Sequence, residues 1–161
     1  MSFIKKQRAG IYVTLLVLIL TIAAMITYQV NISGEGYFQK AEVPQAVLYS
    51  AIALVLELAA IVLAQFSLQG AAETIKNIVS GVMRIITPML LVAAAMIIVS
   101  SRVEGFAFIY FSNQEVLQEV QTPANMSSAH GAIANIVMLG VAAVAGIVAA
   151  FFDLNKKEKT S

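Results

Sequence analysis

Four long apolar runs alternate with more polar segments along this chain of 161 residues. The runs cover residues 10–30, 46–69, 82–100 and 130–152. A helix needs about 20 mostly apolar residues to cross the hydrocarbon layer of a bilayer, and each run approaches or exceeds that length. The pattern predicts an all-α, polytopic membrane protein. Its four transmembrane helices form an antiparallel bundle, and residues 1–161 make up a single membrane domain.

Basic residues indicate how this bundle is oriented. They flank the outermost runs: Lys5, Lys6, Arg8, Lys156, Lys157 and Lys159. The positive-inside rule then predicts that both termini are cytoplasmic, so the segments 31–45 and 101–129 are outside loops. A cleaved signal peptide is the alternative for the N-terminus. The first apolar run exceeds the roughly 7–15 residues usual for such peptides, which favours an uncleaved helix.

Composition agrees with a membrane protein and excludes several functions. The chain is 60% hydrophobic, only 12% charged and has a mean hydropathy of +0.86. The absence of cysteine excludes disulfide exchange and thiolate metal sites. No hydrolase, P-loop or dinucleotide motif occurs, and the basic termini are too short to indicate nucleic-acid binding. We therefore expect neither an enzyme nor a protein that holds a metal or a cofactor.

Glu57 is the only acidic residue inside any of the apolar runs. A carboxylate at that depth needs a partner, a proton or a water-filled cavity, which makes Glu57 the leading candidate for function. The sequence is equally consistent with a structural role for Glu57, in which the residue keeps its proton or forms an ion pair with Arg84. The candidate ion- or proton-binding group is completed by Thr21, near mid-depth of the first helix, by Arg84 near the cytoplasmic end of the third, and by Asn135 in the fourth.

Small residues recur at helical spacing and predict where the helices pack. On the second helix they share a face with Glu57, and on the fourth they form a small-xxx-small run. The residues expected to pack are Ser50, Ala53, Ala60, Ala64, Ala142, Gly146 and Ala150. Close approach along these faces would turn Glu57 toward the interior of the bundle.

The segment 101–129 is the longest stretch between the apolar runs, and it is rich in aromatic residues. Ser112 and Glu115 fit the S-x-x-E capping box, which predicts a short amphipathic helix that starts there and stops at Pro123. The helix either caps the bundle or helps to bind a protein partner. The candidate partner surface consists of Phe106, Phe108, Tyr110, Phe111 and Leu117.

Two functions remain open from the sequence. The first is an accessory or assembly subunit that binds a larger membrane or cell-surface partner. The second is an oligomeric, proton- or cation-coupled transporter or channel for a small solute, which uses Glu57. In both cases the bilayer is the environment, and a protein partner or a second copy is expected. Short loops, lysine-rich termini and the lack of cysteine favour a bacterial cell membrane.

Overall fold

The computed structural model describes residues 9–152, which form five α-helices joined by short turns. They are α1 (Ala9–Ser33), α2 (Pro44–Leu63), α3 (Ala71–Phe111), α4 (Gln114–Val120) and α5 (Pro123–Ala150). All except α4 are long and apolar enough to cross a membrane, which confirms the all-helical, multi-pass class. The six basic terminal residues that predict the orientation lie outside the described residues.

The third long helix extends well beyond the predicted range of 82–100 at both ends. α3 has 41 residues, which at about 1.5 Å per residue makes it about 60 Å long, twice the hydrocarbon thickness of a bilayer. Residues 71–81 and 101–111 are more polar than the middle but contain no proline, and the helix continues through them to its C-cap at Ser112. Hydropathy identifies only the apolar middle of α3, whereas the helix itself continues to its C-cap residue, Ser112.

The second long helix is shorter than predicted and ends at Leu63. Beyond it the chain turns back on the start of α3 through three polar contacts. Lys76 Nζ donates to the Phe66 carbonyl (2.8 Å) and lies 2.8 Å from Glu73 Oε2, which accepts from the Leu68 N–H (3.2 Å). In an α2 helix through residue 69 the Leu68 N–H would have bonded to the Ala64 carbonyl; here Glu73 accepts from it, and Lys76 caps the Phe66 carbonyl.

The capping residues before α4 and α5 differ from those predicted. Ser112 donates its hydroxyl to the Phe108 carbonyl (2.8 Å), while Asn113 is the residue that caps α4, accepting from the Val116 N–H (3.0 Å). Pro123 opens α5 instead of only stopping the helix before it, and Thr122 caps α5 by accepting from the Asn125 N–H (3.2 Å). Proline suits the first helical position because its missing N–H would have no intrahelical partner there.

The interior of the bundle is built from small side chains. α5 packs against α1 and α3, α3 also packs against α2, and the α1–α2 contact is the sparsest of these. Most of the predicted packing residues are buried: Ser50, Ala53, Ala60, Ala142 and Gly146, with Ala64 and Ala150 half-buried. Gly146 lies directly against the Pro88 ring, since a Cβ at Gly146 would be 3.3 Å from the proline Cβ.

The loop of residues 34–43 folds across one end of the bundle, which we call the loop-covered end. Phe38 at its centre is 2% exposed, and the Phe38 N–H donates to Ser128 Oγ of α5 (3.0 Å). The Val43 N–H donates to the Tyr28 hydroxyl (2.6 Å). Gly36 has φ +119° and approaches the Ala124 carbonyl so closely that a Cβ would lie 2.4 Å from it. The loop is therefore part of the packed structure.

Candidate functional site

Glu57 lies on the buried face of α2 and is only 3% exposed. Ala53 and Ala60, about one turn to either side, are fully buried. The Glu57 carboxyl group meets Thr21, in the middle of α1. The structure thus places the two residues that the sequence paired against one another.

The contact between the two side chains would stabilise a negatively charged carboxylate only weakly. Thr21 Oγ1 lies 2.9 Å from the Val17 carbonyl oxygen and 3.3 Å from Glu57 Oε1. A hydroxyl has one proton to donate, and the shorter distance assigns it to Val17. Glu57 Oε2 is buried and has no hydrogen-bond partner among residues 9–152. The carboxyl group therefore has at most a share of one donor.

A cavity of about 10 Å³ adjoins the carboxyl group, about the lower limit for a single water molecule. Thr14 and Thr87 line it together with Val17, Gly146 and Ala149. The Thr14 hydroxyl donates to the Gly10 carbonyl (2.8 Å) and the Thr87 hydroxyl to the Met83 carbonyl (2.9 Å). Their protons are committed to their own helices, so these hydroxyls offer the cavity only lone pairs.

Arg84 also lines this cavity, as expected from the sequence, but its guanidinium group makes a contact elsewhere. Nη2 donates to the carbonyl of Phe152, just beyond the end of α5. Within residues 9–152 the structure records no ion pair between Arg84 and Glu57. The alternative in which Arg84 neutralises Glu57 as a direct ion-pair partner is therefore not observed.

Asn135, the fourth candidate, is buried but does not join the group around Glu57. It is 2% exposed, and its Nδ2 donates to the Ala24 carbonyl (2.6 Å), about one turn along α1 from Thr21. Its Oδ1 is buried without a partner among the described residues. Asn135 lines a different opening, between α1 and α2.

The candidate partner surface divides into a half-buried part and an exposed part. Phe106 lies 5.4 Å from the Phe38 ring, centroid to centroid, and 6.5 Å from Tyr110, so these two residues belong to the loop-covered end. Phe108 and Phe111 are 41% and 83% exposed, and Leu117 is half-buried on α4. Phe108 and Phe111 are therefore the members of this surface most available to another molecule.

Sequence reasoning missed Arg102, which it placed in an outside loop. Arg102 is 3% exposed, donates to the Ala41 carbonyl and lies 4.8 Å above the Phe38 ring. A signal for this burial was present. The buried positions of α3 continue at spacings of three and four through this residue: Leu91, Ala94, Ile98, Arg102, Gly105 and Ile109.

Comparisons with known proteins add no family to this description. The described residues contain no group of three histidine, cysteine or acidic side chains that could hold a metal ion, and His130 is exposed. No protein-family model, no curated protein and no solved structure significantly matches the chain.

Proposed function

We propose that this protein binds a proton at Glu57 and works in the membrane as a proton carrier assembled from more than one copy. The observation that carries the proposal is the set of acceptors around Glu57. The Thr21 hydroxyl contacts the carboxyl group, the Thr14 and Thr87 hydroxyls line the cavity beside Glu57, and each of the three donates its proton to a carbonyl of its own helix. A protonated Glu57 can donate to Thr21 Oγ1, whereas a charged one would remain buried without a full donor.

The charge pattern supports an orientation for the carrier. Basic residues at both termini favour an antiparallel bundle with cytoplasmic ends, which puts the loop-covered end and an amphipathic α4 on the outside of a bacterial cell membrane.

Polar side chains recur along the buried face of α1 at Thr14, Thr21 and Tyr28. They are seven residues apart, which corresponds to about 10 Å along the helix. These side chains place one hydroxyl at the level of Glu57 and one about 10 Å to either side of it along α1.

More than one copy is proposed because the cavity beside Glu57 in one copy is too small for a pathway. The cavity beside Glu57 holds about 10 Å³, and the loop of residues 34–43 covers the bundle at one end. A single small bundle rarely encloses a pathway, whereas an intramembrane ionisable residue commonly marks one. The lipid-exposed sides of the long helices provide the surface through which copies would associate.

Infrared difference spectroscopy tests the proton directly. Full-length protein in proteoliposomes is titrated with base, and the C=O stretching band of a protonated carboxyl group is followed. We expect a band from a buried carboxyl group that persists above the range of exposed carboxylates and is absent from Glu57→Gln. The exposed Glu35 provides the matched control, and Glu35→Gln should retain the band. A Glu57→Gln spectrum identical to that of the wild type would contradict the proposal.

Proton flux tests the carrier function separately. Vesicles that contain a trapped pH-sensitive dye are subjected to a potassium diffusion potential with and without the protein. Wild type and Glu35→Gln should acidify the lumen faster than protein-free vesicles, and Glu57→Gln should lose at least about 90% of that excess rate, since no titratable group replaces the carboxyl. Equal rates for Glu57→Gln and wild type, or a wild-type rate no higher than in empty vesicles, would refute the carrier.

An accessory, non-enzymatic role is a second candidate, favoured by one observation. At the corner between α3 and α4, Phe108 and Phe111 present exposed rings beside a short helix. Purification in mild detergent should then recover a defined partner that is lost from a Phe108→Ala, Phe111→Ala double variant. Recovery of the protein alone, with wild-type flux after reconstitution, would rule out the accessory role.

A further inference from the structure

A groove of about 370 Å³ lies between α1 and α2, separate from the cavity beside Glu57. These two helices make the sparsest of the contacts between neighbouring long helices. Ile22, Ile26 and Val47 line the groove and are 40%, 58% and 38% exposed, so they belong to the lipid-facing surface. A second depression, which shares Tyr28, Gln29 and Val47 with the groove, continues it toward the loop-covered end. A molecule can therefore enter sideways from the bilayer.

Asn135 gives this otherwise apolar groove one specific polar group. Its side-chain orientation is fixed, because the Ala24 carbonyl can only accept and so must face the amide nitrogen (2.6 Å). The amide oxygen then has no partner among the described residues, although Asn135 is only 2% exposed. A buried acceptor without a donor is unfavourable, and a bound donor would remove that cost.

None of the other described polar groups of the groove reaches Asn135 Oδ1. The Ser50 hydroxyl donates to the Ala46 carbonyl (2.9 Å), Gln29 Nε2 donates to Ser33 Oγ (3.3 Å), and the Tyr28 hydroxyl contacts the Val43 N–H. Water is a poor occupant of the whole space, because a buried water needs two to four polar partners and most of the lining is aliphatic. Clefts of 300–1,000 Å³ with apolar walls and a few placed polar groups are typical of small-molecule sites.

We infer that the groove binds a lipid-soluble alcohol or phenol, which donates its hydroxyl to Asn135 Oδ1 and lays its apolar body between α1 and α2. The hydroxyl supplies the one missing donor, and the body replaces lipid against Ile22, Ile26 and Leu54. The site does not depend on the proton at Glu57, since neither the groove lining nor the Asn135 contact includes that residue.

Photolabelling with two matched probes tests the site. The first probe is a long-chain primary alcohol that carries a diazirine, and the second is its methyl ether, which has no hydrogen to donate. Full-length protein in proteoliposomes is irradiated with each, and labelled residues are located by mass spectrometry. The alcohol should label Met25, Gln29 and Leu54 about tenfold more than the ether does, as expected for one buried hydrogen bond.

The protein contains its own control groove. Ile85, Met89 and Ile147 line a lipid-facing depression between α3 and α5, next to Pro88. Both probes should label that depression equally, because it offers no buried acceptor without a donor. Equal labelling of the α1–α2 groove by the alcohol and the ether would overturn the inference, and so would a preference for the alcohol at both grooves.

Three variants separate this site from the Glu57 site. Asn135→Leu, checked for wild-type elution and melting, should abolish the preference for the alcohol. Met25→Trp fills the groove and leaves the Asn135 amide group in place, so it should reduce labelling of the groove by both probes. This variant tests whether the probes occupy the groove if Asn135→Leu does not fold. Glu57→Gln should retain the full preference. A preference that survives Asn135→Leu, or one that Glu57→Gln removes, would overturn the assignment.

Discussion

Arg102 and Glu57 are charged residues buried to the same degree, each 3% exposed, yet their surroundings differ. Arg102 donates to the Ala41 carbonyl and lies 4.8 Å above the Phe38 ring. Glu57 has one 3.3 Å contact to Thr21 and a second oxygen without any partner between residues 9 and 152. The surroundings of Arg102 therefore compensate a positive charge, whereas those of Glu57 do not compensate a negative one.

This difference separates structural burial from functional burial. A charge that is removed from water must be compensated by hydrogen bonds, or the group must become neutral. Arginine cannot lose its proton in a protein, so Arg102 requires compensation and receives it. Glutamate can accept a proton, so Glu57 tolerates a pocket of acceptors. Four substitutions test this distinction, and they are given in order of decreasing expected effect.

Arg102→Leu should produce the largest loss of stability. It leaves the Ala41 carbonyl without its donor and removes the cation from the Phe38 ring. We expect the free energy of unfolding to fall by about 3 kcal/mol, from a charge-assisted hydrogen bond and a cation–π contact together. Denaturation by SDS in mixed micelles measures it. The exposed neighbour Glu104 gives the control, Glu104→Gln, and an equal effect of both changes would remove Arg102 from the structural role.

Gly105→Ala should have the next largest effect, because it disturbs the same loop without touching a charge. A Cβ at Gly105 would lie 2.5 Å from the Phe38 ring and 2.7 Å from the Tyr37 ring. Overpacking of this kind lowers the free energy of unfolding by about 2 kcal/mol. Gly81 lies in the same helix with nothing within 4 Å of its Cβ position, so Gly81→Ala should instead stabilise by about 0.5–1 kcal/mol. Thermal melting in detergent distinguishes the two, and equal shifts would show that the loop yields easily.

Glu57→Gln should change stability by less than about 1 kcal/mol, in contrast with Arg102→Leu. The glutamine amide can donate to Thr21 Oγ1 just as a protonated carboxyl group does, so no buried charge is created or lost. The same SDS denaturation measures this change. A loss as large as that of Arg102→Leu would show that Glu57 is ionised and compensated by contacts of its own.

Thr21→Val should have the smallest effect, about 0.6 kcal/mol, the usual contribution of an interhelical hydrogen bond in a membrane. It retains the shape of the side chain and removes only the hydroxyl that faces Glu57. In the Glu57→Gln background its effect should be the same within error, since the amide would use the same acceptor. A much larger loss in the wild type alone would indicate that Thr21 is the essential donor to a charged carboxylate.

The sequence was sufficient for the membrane class and for the contact at the candidate site. Hydropathy located four long helices, and the spacing of Ser50, Ala53, Glu57 and Ala60 placed the carboxyl group on the buried face of α2. Both inferences rest on periodic patterns within one helix, which depend little on distant residues.

The ends of the helices and the role of Arg102 were harder to predict. Helix ends at Leu63 and Phe111 depend on contacts such as that of Lys76 with the Phe66 carbonyl, which form only when the chain folds back. A charge count places Arg102 in a loop, because hydropathy does not distinguish a buried arginine with partners from an exposed one. The missing hydrogen-bond donor at Asn135 Oδ1 could not be predicted either, since the orientation of this amide group is set by the Ala24 carbonyl of another helix.

The loop of residues 34–43 also has a consequence for biogenesis. Its partners Arg102 and Ser128 are synthesised some 60 to 90 residues after it, according to the sequence separations of their hydrogen bonds. The first hairpin therefore cannot complete its own loop when it enters the membrane. Nascent chains that end before Ser128 should present this loop to added protease. The full-length chain should protect it, so protease resistance there marks the insertion of the last helix.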